Sequence, residues 1–209
     1  MKADVGTPGR AEGMGHPNLL LMWESVEVPK RKTQPSTNMS KIKSPRDLLV
    51  HELKDLYSAE NQLTKALPRM AKAASSDELK QAFQNHLEQT QEQIARLEKI
   101  GKQLGESMKG KKCKAMEGLI AEGKETMEED AEPVMLDLAL IGAAQKVEHY
   151  EIAGYGTART LAEIAGEDDI AEILQETLDE EGETDKLLTE IAMELNVEAA
   201  GEDEEEEED

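Results

Sequence analysis

Four long stretches of the chain carry apolar side chains at alternating steps of four and three, with polar residues filling the positions between. That period belongs to helices with one buried stripe, whereas strands would show strict alternation. The punctuation agrees. Ser44 is placed to cap a first helix with Pro45 at its first position, and this helix runs to about Ala74, with Pro68 disturbing only its last turns. Ser75 or Ser76, followed by the acids Asp77 and Glu78, opens a second helix that reaches about Leu104 and stops at Gly105. A third long helix spans about Glu132 to Ala165, with Pro133 in its first turn and Gly166 as its stop; a fourth begins near Glu167-Asp168-Asp169 and ends near Asn196.

Loop lengths then set the topology. The turns within the first and second pairs of long helices are a few residues each, which forces two antiparallel hairpins. The connection between the pairs spans roughly residues 105–131 and holds a short helix of its own, about Lys114 to Glu129, so it is long enough to cross the bundle. The expected fold class is therefore all-α: a ferritin-like four-helix bundle with one long crossover carrying an additional short helix. Outside it, residues 1–43 hold many Gly and Pro residues without sustained periodicity and read as a disordered extension, with Met39 an alternative start; residues 198–209 hold nine acidic and no basic side chains and read as a disordered acidic tail. The bundle domain is expected over 44–197.

Composition narrows the function classes. Of 209 residues only five are aromatic (Trp23, Tyr57, Phe83, Tyr150, Tyr155), so the core is aliphatic and an all-β architecture is disfavoured. The formal charge is 24 − 46 = −22, which argues against nucleic acid or an anionic membrane surface as partner. The single cysteine, Cys113, has no intramolecular disulfide partner, no run approaches a membrane-spanning length, and Leu19-Leu20-Leu21-Met22-Trp23 is too short for a secretory signal, so the expected location is cytoplasmic.

The buried stripes are interrupted by chemistry. The first helix reads Leu49, Leu53, Leu56, Glu60, Leu63, Leu67, Met70, and the second Leu79, Phe83, His86, Thr90, Gln93 or Ile94, Leu97, Ile100. The third reads Val134, Leu138, Ile141, Gln145, Glu148, Ile152, Tyr155, with Glu151 on the side of Glu148, and the fourth Ile170, Leu174, Leu178, Glu181, Asp185, Leu188, Ala192, Leu195. Counting from the two turns puts Glu60 within one helical turn of His86, and Glu148 and Glu151 level with Glu181 and Asp185. Five like charges in one cavity are intolerable unless neutralised by protons, by inward Lys or Arg, or by bound cations. No Lys or Arg falls in these stripes beside the acids, which makes two divalent cations the economical solution, with carboxylate-rich, thiolate-free ligation favouring Fe or Mn.

The segments Asp55-Leu-Tyr-Ser-Ala-Glu60-Asn-Gln-Leu63, His86-Leu-Glu88, Cys113-Lys-Ala-Met-Glu-Gly-Leu119, Lys146-Val-Glu-His-Tyr-Glu-Ile-Ala153 and Tyr155-Gly-Thr157, in this order over about residues 44–195, resemble the bacterial YciF/YciE family. The resemblance implies a ferritin-like bundle, a homodimer, a di-metal site and an association with stress responses. On this chain the implied ligands fall on Glu60, His86, Glu148, Glu151, Glu181 and Asp185. Gln89 stands where relatives commonly carry an acid three residues after the histidine, which weakens one metal position, and Gly182 stands mid-helix where Lys is more usual. The three tyrosines, Cys113 and Glu117 are expected to pack, His149 to lie at the surface or behind the ligands, and His51 to have no constellation around it. Two functions compete: a metal-binding protein whose paired ions react with oxygen or peroxide in stress-related oxidant or metal handling, and a non-enzymatic helical scaffold without metal.

Overall fold

The computed structural model describes residues 42–206; all but the last two residues of the expected extension over 1–43, and the last three residues of the chain, lie outside them. All regular structure among the described residues is helical: α1 Pro45–Ala73, α2 Asp77–Leu104, α3 Lys114–Thr126, α4 Pro133–Ala165 and α5 Asp168–Glu206. The caps are those the side chains dictate. Ser44 Oγ accepts from the Asp47 amide at 3.1 Å and Ser76 Oγ from the Leu79 amide at 3.3 Å. Gly105 and Gly166 close α2 and α4 with φ of 70° and 74°, a left-handed conformation that any side chain would strain.

Two boundaries differ from expectation. The short helix stops at Thr126 and not at Glu129, and α5 runs to Glu206, beyond the expected end at Asn196, so residues 198–206 are helical where an extended acidic tail is expected. Past Asn196 the sequence offers Ala and Glu, strong helix formers, and no Pro, so intrinsic propensity carries the last helix on despite like-charge repulsion. Pro68 likewise lies inside α1 without ending it.

α1 pairs with α2 and α4 with α5 as antiparallel hairpins, and the hairpins meet through α1 against α4 and α2 against α5. α3 lies outside the four, on α1 and α4. Its entry is pinned by hydrogen bonds that the crossover makes with α1: the Cys113 amide donates to Ser58 Oγ at 2.9 Å and Gln62 Nε2 donates to the Cys113 carbonyl at 3.1 Å. Cys113 Sγ caps α3 by accepting from the Met116 amide and lies 2.9 Å from the Tyr150 hydroxyl, which donates to Asp55 Oδ2 at 2.5 Å. Cys113 is thus a buried capping residue, and its thiol is pushed up by burial. The α1–α2 turn is held from across the bundle, where Asp137 of α4 accepts the Ser75 and Ser76 amides at 2.8 and 2.7 Å.

The buried stripes of α1 and α2 are those of the four-three count, with Gln93 inside and Ile94 half-buried. Those of α4 and α5 keep the expected positions Ile141, Glu148 and Tyr155, and Ile170, Leu174, Glu181, Leu188 and Leu195. Elsewhere they shift by one residue, Thr177, Thr184 and Ile191 being inside α5 in place of Leu178, Asp185 and Ala192. Val134, Leu138, Gln145 and Ile152 sit on the flank of α4, while Asp137, Leu140, Ala144, Val147 and Ala158 are inside. α4 packs on α1, α3 and α5 at once, so more of its circumference is buried than one seam describes. The result is two apolar clusters, one around Leu63, Leu67, Phe83, Met116, Ile141 and Leu188, the other around Leu53, Leu56, Leu97, Ile100, Ala162 and Leu174. Buried polar side chains from all four long helices lie outside both clusters: Glu60, His86, Thr90, Gln93, Glu148, Glu151, Thr177, Glu181 and Thr184.

Candidate metal centre

Every helix of the bundle supplies a side chain to this layer: α1 gives Glu60, α2 His86, α4 Glu148 and Glu151, and α5 Glu181. All five are at most 3 % exposed. His86, Glu148, Glu151 and Glu181 each bring one donor atom into a group whose members lie within 4.8 Å of one another. Glu60 stands beside them, its Oε1 accepting from the Tyr155 hydroxyl at 2.5 Å.

The orientation of His86 matters most. Its Nδ1 lies 3.4 Å from Gln89 Oε1, an acceptor, which assigns the ring proton to Nδ1. Nε2 then carries a bare lone pair and faces Glu148 Oε1 at 3.3 Å. Two lone pairs opposed at that distance repel unless a proton or a cation stands between them. The same shortage recurs through the layer: Glu60 Oε2, His86 Nε2, Gln93 Oε1, Glu148 Oε2 and both oxygens of Glu151 and Glu181 are buried without a hydrogen-bond partner among the described residues. Buried polar atoms are almost always satisfied, so this concentration of acceptors marks a place built for something electropositive.

Titration follows from the same crowding. Burial, reinforced by the charge of Glu181, holds Glu60 and Glu148 well above the usual carboxylate range, and burial with the charges of Glu60 and Glu181 does the same to Glu151. Burial pushes Glu181 up to about 7. His86 is lowered to about 4 by burial, against the opposing pull of Gln89, so its imidazole is neutral at pH 7 and available as a ligand.

Of the six residues singled out in the sequence, five are brought to one layer and Asp185 stands on its edge. Asp185 is half-buried on the flank of α5 that faces α4; its Oδ1 accepts from Gln145 Nε2 at 3.1 Å and lies 3.3 Å from Nε2 of the exposed His149. Four residues on a helix sweep about 400°, so Asp185 is carried roughly 40° round from Glu181 and out of the group. Gln89 is a support for the histidine ring, a role its amide oxygen suits.

Sequence reasoning missed two participants, Arg96 and Glu180, and the roles of two stripe residues, Tyr155 and Gln93. Tyr155, expected only to pack, donates to Glu60 from full burial. No Lys or Arg lies in the stripes, as expected, but one stands just off them: the Arg96 guanidinium grips Glu180 with two contacts of 2.6 Å while Gln93 Nε2 donates to the same carboxylate at 3.1 Å. Glu180, next to Glu181, is held below the usual range by Arg96 and Gln93 in spite of burial. Arg96 and Glu180 fall off the apolar seams by one position, and only the α2–α5 contact brings them together.

The family profile described as "Domain of unknown function (DUF892)" matches residues 44–201, the whole bundle. The chain belongs to the DUF892 family. Protein YciF of Escherichia coli strain K12 is 49 % identical over 153 residues, spanning 73 % of this chain and 92 % of YciF. The crystal structure of the E. coli stress protein YciF matches with a TM-score of 0.72 at 48 % identity, covering 74 % of this chain and 98 % of that one. YcfI of Rhodopseudomonas palustris, whose description proposes a structural role, matches with a TM-score of 0.69 at 46 % identity, covering 72 % and 96 %. A ferritin-like, diiron-carboxylate protein of Bacillus anthracis matches at 0.57 with 16 % identity over 72 % of this chain and 99 % of that one, a likeness that shows the fold. This DUF892 member is therefore a ferritin-like helical bundle with a buried His/Glu group able to hold a divalent metal. No described helix is long and apolar enough to cross a membrane.

Proposed function

We propose that this protein is a cytoplasmic di-metal carboxylate protein, a homodimer loaded with iron or manganese, that handles metal or oxidant under stress. The observation that carries the reading is the set of partnerless acceptors in the layer, above all the lone pair of His86 Nε2 set against Glu148. Glu60, Glu148, Glu151 and Glu181 would carry four negative charges when ionised, and two divalent ions balance them: 4 − 4 = 0. Oxygen and nitrogen donors without thiolate suit Fe or Mn. His86, Glu148, Glu151 and Glu181 would form the common ligand group, with Glu60 completing it. Such a pair of ions, when bound, supplies one-electron exchange between the two-plus and three-plus states with oxygen or peroxide. The chain's own contribution is to hold the donors rigidly, to keep His86 neutral, to hold a proton on the Tyr155 hydroxyl against Glu60, and to exclude bulk water with the apolar clusters. The E. coli relative's description as a stress protein supports the biological setting.

A second reading has an observation of its own. The raised carboxyl groups can neutralise the layer by staying protonated, which would leave a metal-free scaffold, in keeping with the structural role proposed for the Rhodopseudomonas relative. Elemental analysis of protein purified without chelator separates the two. Near two Fe or Mn per chain, lost in Glu60→Ala and Glu148→Ala, supports the metalloprotein; a metal-free and fully stable wild type supports the scaffold. Peroxide consumption by the loaded protein is then measured separately.

A further inference from the structure

Toward α1 and α4 the buried layer is flanked by α3 and the side chains under it, which line a largely apolar cavity, and apolar clusters pack elsewhere along the bundle. Between α2 and α5 the arrangement is different. Carboxylates there step from the surface inward: Glu92 and Glu176 are 74 % and 67 % exposed, Glu180 is 24 % exposed, and Glu181 is fully buried. One cation stands among the first three. Arg96 lies 4.0 Å from Glu92, 3.9 Å from Glu176 and 2.6 Å from Glu180, and its Nη1 also reaches Thr177 Oγ1 at 3.2 Å. With one guanidinium against three carboxylates the cluster has a net charge of 1 − 3 = −2, the charge a divalent cation neutralises. An unsatisfied acceptor lies just inside it: Gln93 is fully buried, its amide nitrogen donates to Glu180, and its Oε1 has no partner.

We propose that Glu92, Glu176 and Glu180 form a transit site for divalent cations between α2 and α5, gated by Arg96, through which ions reach the buried layer. In the metal-free protein Arg96 occupies the place an arriving cation takes. A divalent cation that collects at Glu92 and Glu176 competes with the guanidinium for Glu180, and Gln93 Oε1 and Glu181 receive it next. No bond other than coordination forms or breaks, and the ion changes no oxidation state on the way. On the α4–α5 flank the corresponding acid, Asp185, is tied to Gln145 and offers no such stepped series.

This inference rests on the metal reading above, and the two are tested apart by loading kinetics. Full-length protein stripped by chelator is mixed with Co²⁺, and uptake is followed by stopped-flow cobalt absorption, with final Co per chain measured after desalting. Glu180→Gln is expected to slow uptake about tenfold and Arg96→Gln to quicken it about tenfold, with the same final content, because local charge in a cleft sets the encounter rate. An ion pair that only braces the helices would move both variants in the same direction. Glu122→Gln, on the α3–α4 surface, serves as the control and is expected to load like wild type. Should Arg96→Gln fail to fold, Arg96→Lys, which keeps the charge and loses the two-pronged grip, is expected to load about threefold faster. Unchanged or same-direction rates in the Arg96 and Glu180 variants, with wild type loading normally, overturn the gate and leave the metal centre standing; no cobalt uptake by wild type overturns both.

Discussion

Both oxygens of Glu151 are buried without a partner, so in the metal-free protein this group is a cost to folding that only a proton or an ion relieves. Glu151→Leu is accordingly expected to raise the stability of the chelator-treated protein by about 1–3 kcal/mol while removing the gain that metal confers on wild type, a contrast read by thermal denaturation with and without Mn²⁺. The pH dependence has a definite sign. Glu181, raised to about 7, and the other three raised carboxyls bind more protons folded than unfolded, so their contribution is full at acid pH and is lost as pH rises through the folded value. His86, lowered to about 4, acts oppositely, its contribution being lost as pH falls toward that value. Four carboxyls outweigh one imidazole, and the metal-free melting temperature is expected to fall between pH 5 and pH 8. Loaded protein is expected to show the reverse trend, because ligands must shed their protons to bind; parallel trends in the two forms would remove the metal from the argument. At this scale the sequence was half legible. Glu60, His86, Glu148, Glu151 and Glu181 declare themselves by breaking apolar seams. Arg96 and Glu180 lie off the seams and do not, and the partners of Gln93 and Tyr155, which the seams do contain, are set by how one hairpin is rotated against the other.

Helices α1 and α4 meet at a glycine. A Cβ at Gly154 would stand 2.8 Å from Leu56 Cδ2, so Gly154→Ala forces that buried side chain to shift where the elements carrying Glu60 and the Glu148–Glu151 pair meet. A loss of about 1–3 kcal/mol is expected on thermal melting, and in the Gly154→Ala/Leu56→Ala double variant, where the overlapping methyl is gone, the total loss is expected to be less than the sum of the two single losses. Asp137 gives a second element-level expectation. It accepts two turn amides from across the bundle, and Asp137→Ala, by orphaning both, is expected to cost about 2–4 kcal/mol on chemical denaturation. Helix starts and stops were readable because caps are local chemistry: Ser44, Ser76, Gly105 and Gly166 act where they stand. The end of α5 was not, because Asn196 and Gly201, the residues there most suited to close a helix, both lie within it. The shifted positions of α4 were hidden too, since a helix packed on α1, α3 and α5 no longer shows a single seam.

For the bundle, topology followed from arithmetic: two short turns and one long connection leave little choice of connection order, and the helix pairing agrees with it. Ion binding to the folded chain alone is expected to stabilise it by about 2.7 kcal/mol at a free ion concentration a hundred times the Kd, a shift absent in Glu148→Ala. The position of the polar layer has one more effect. Each long helix contributes to both hydrocarbon clusters as well as to the charged layer. Slipping α1 by one turn, about 5.4 Å, would drive Glu60 into oil and leave Leu56 or Leu63 among the acids. The acids thus act as a detent that locks axial alignment, so that the pieces most awkward to bury are also what forbids the bundle its near-miss assemblies.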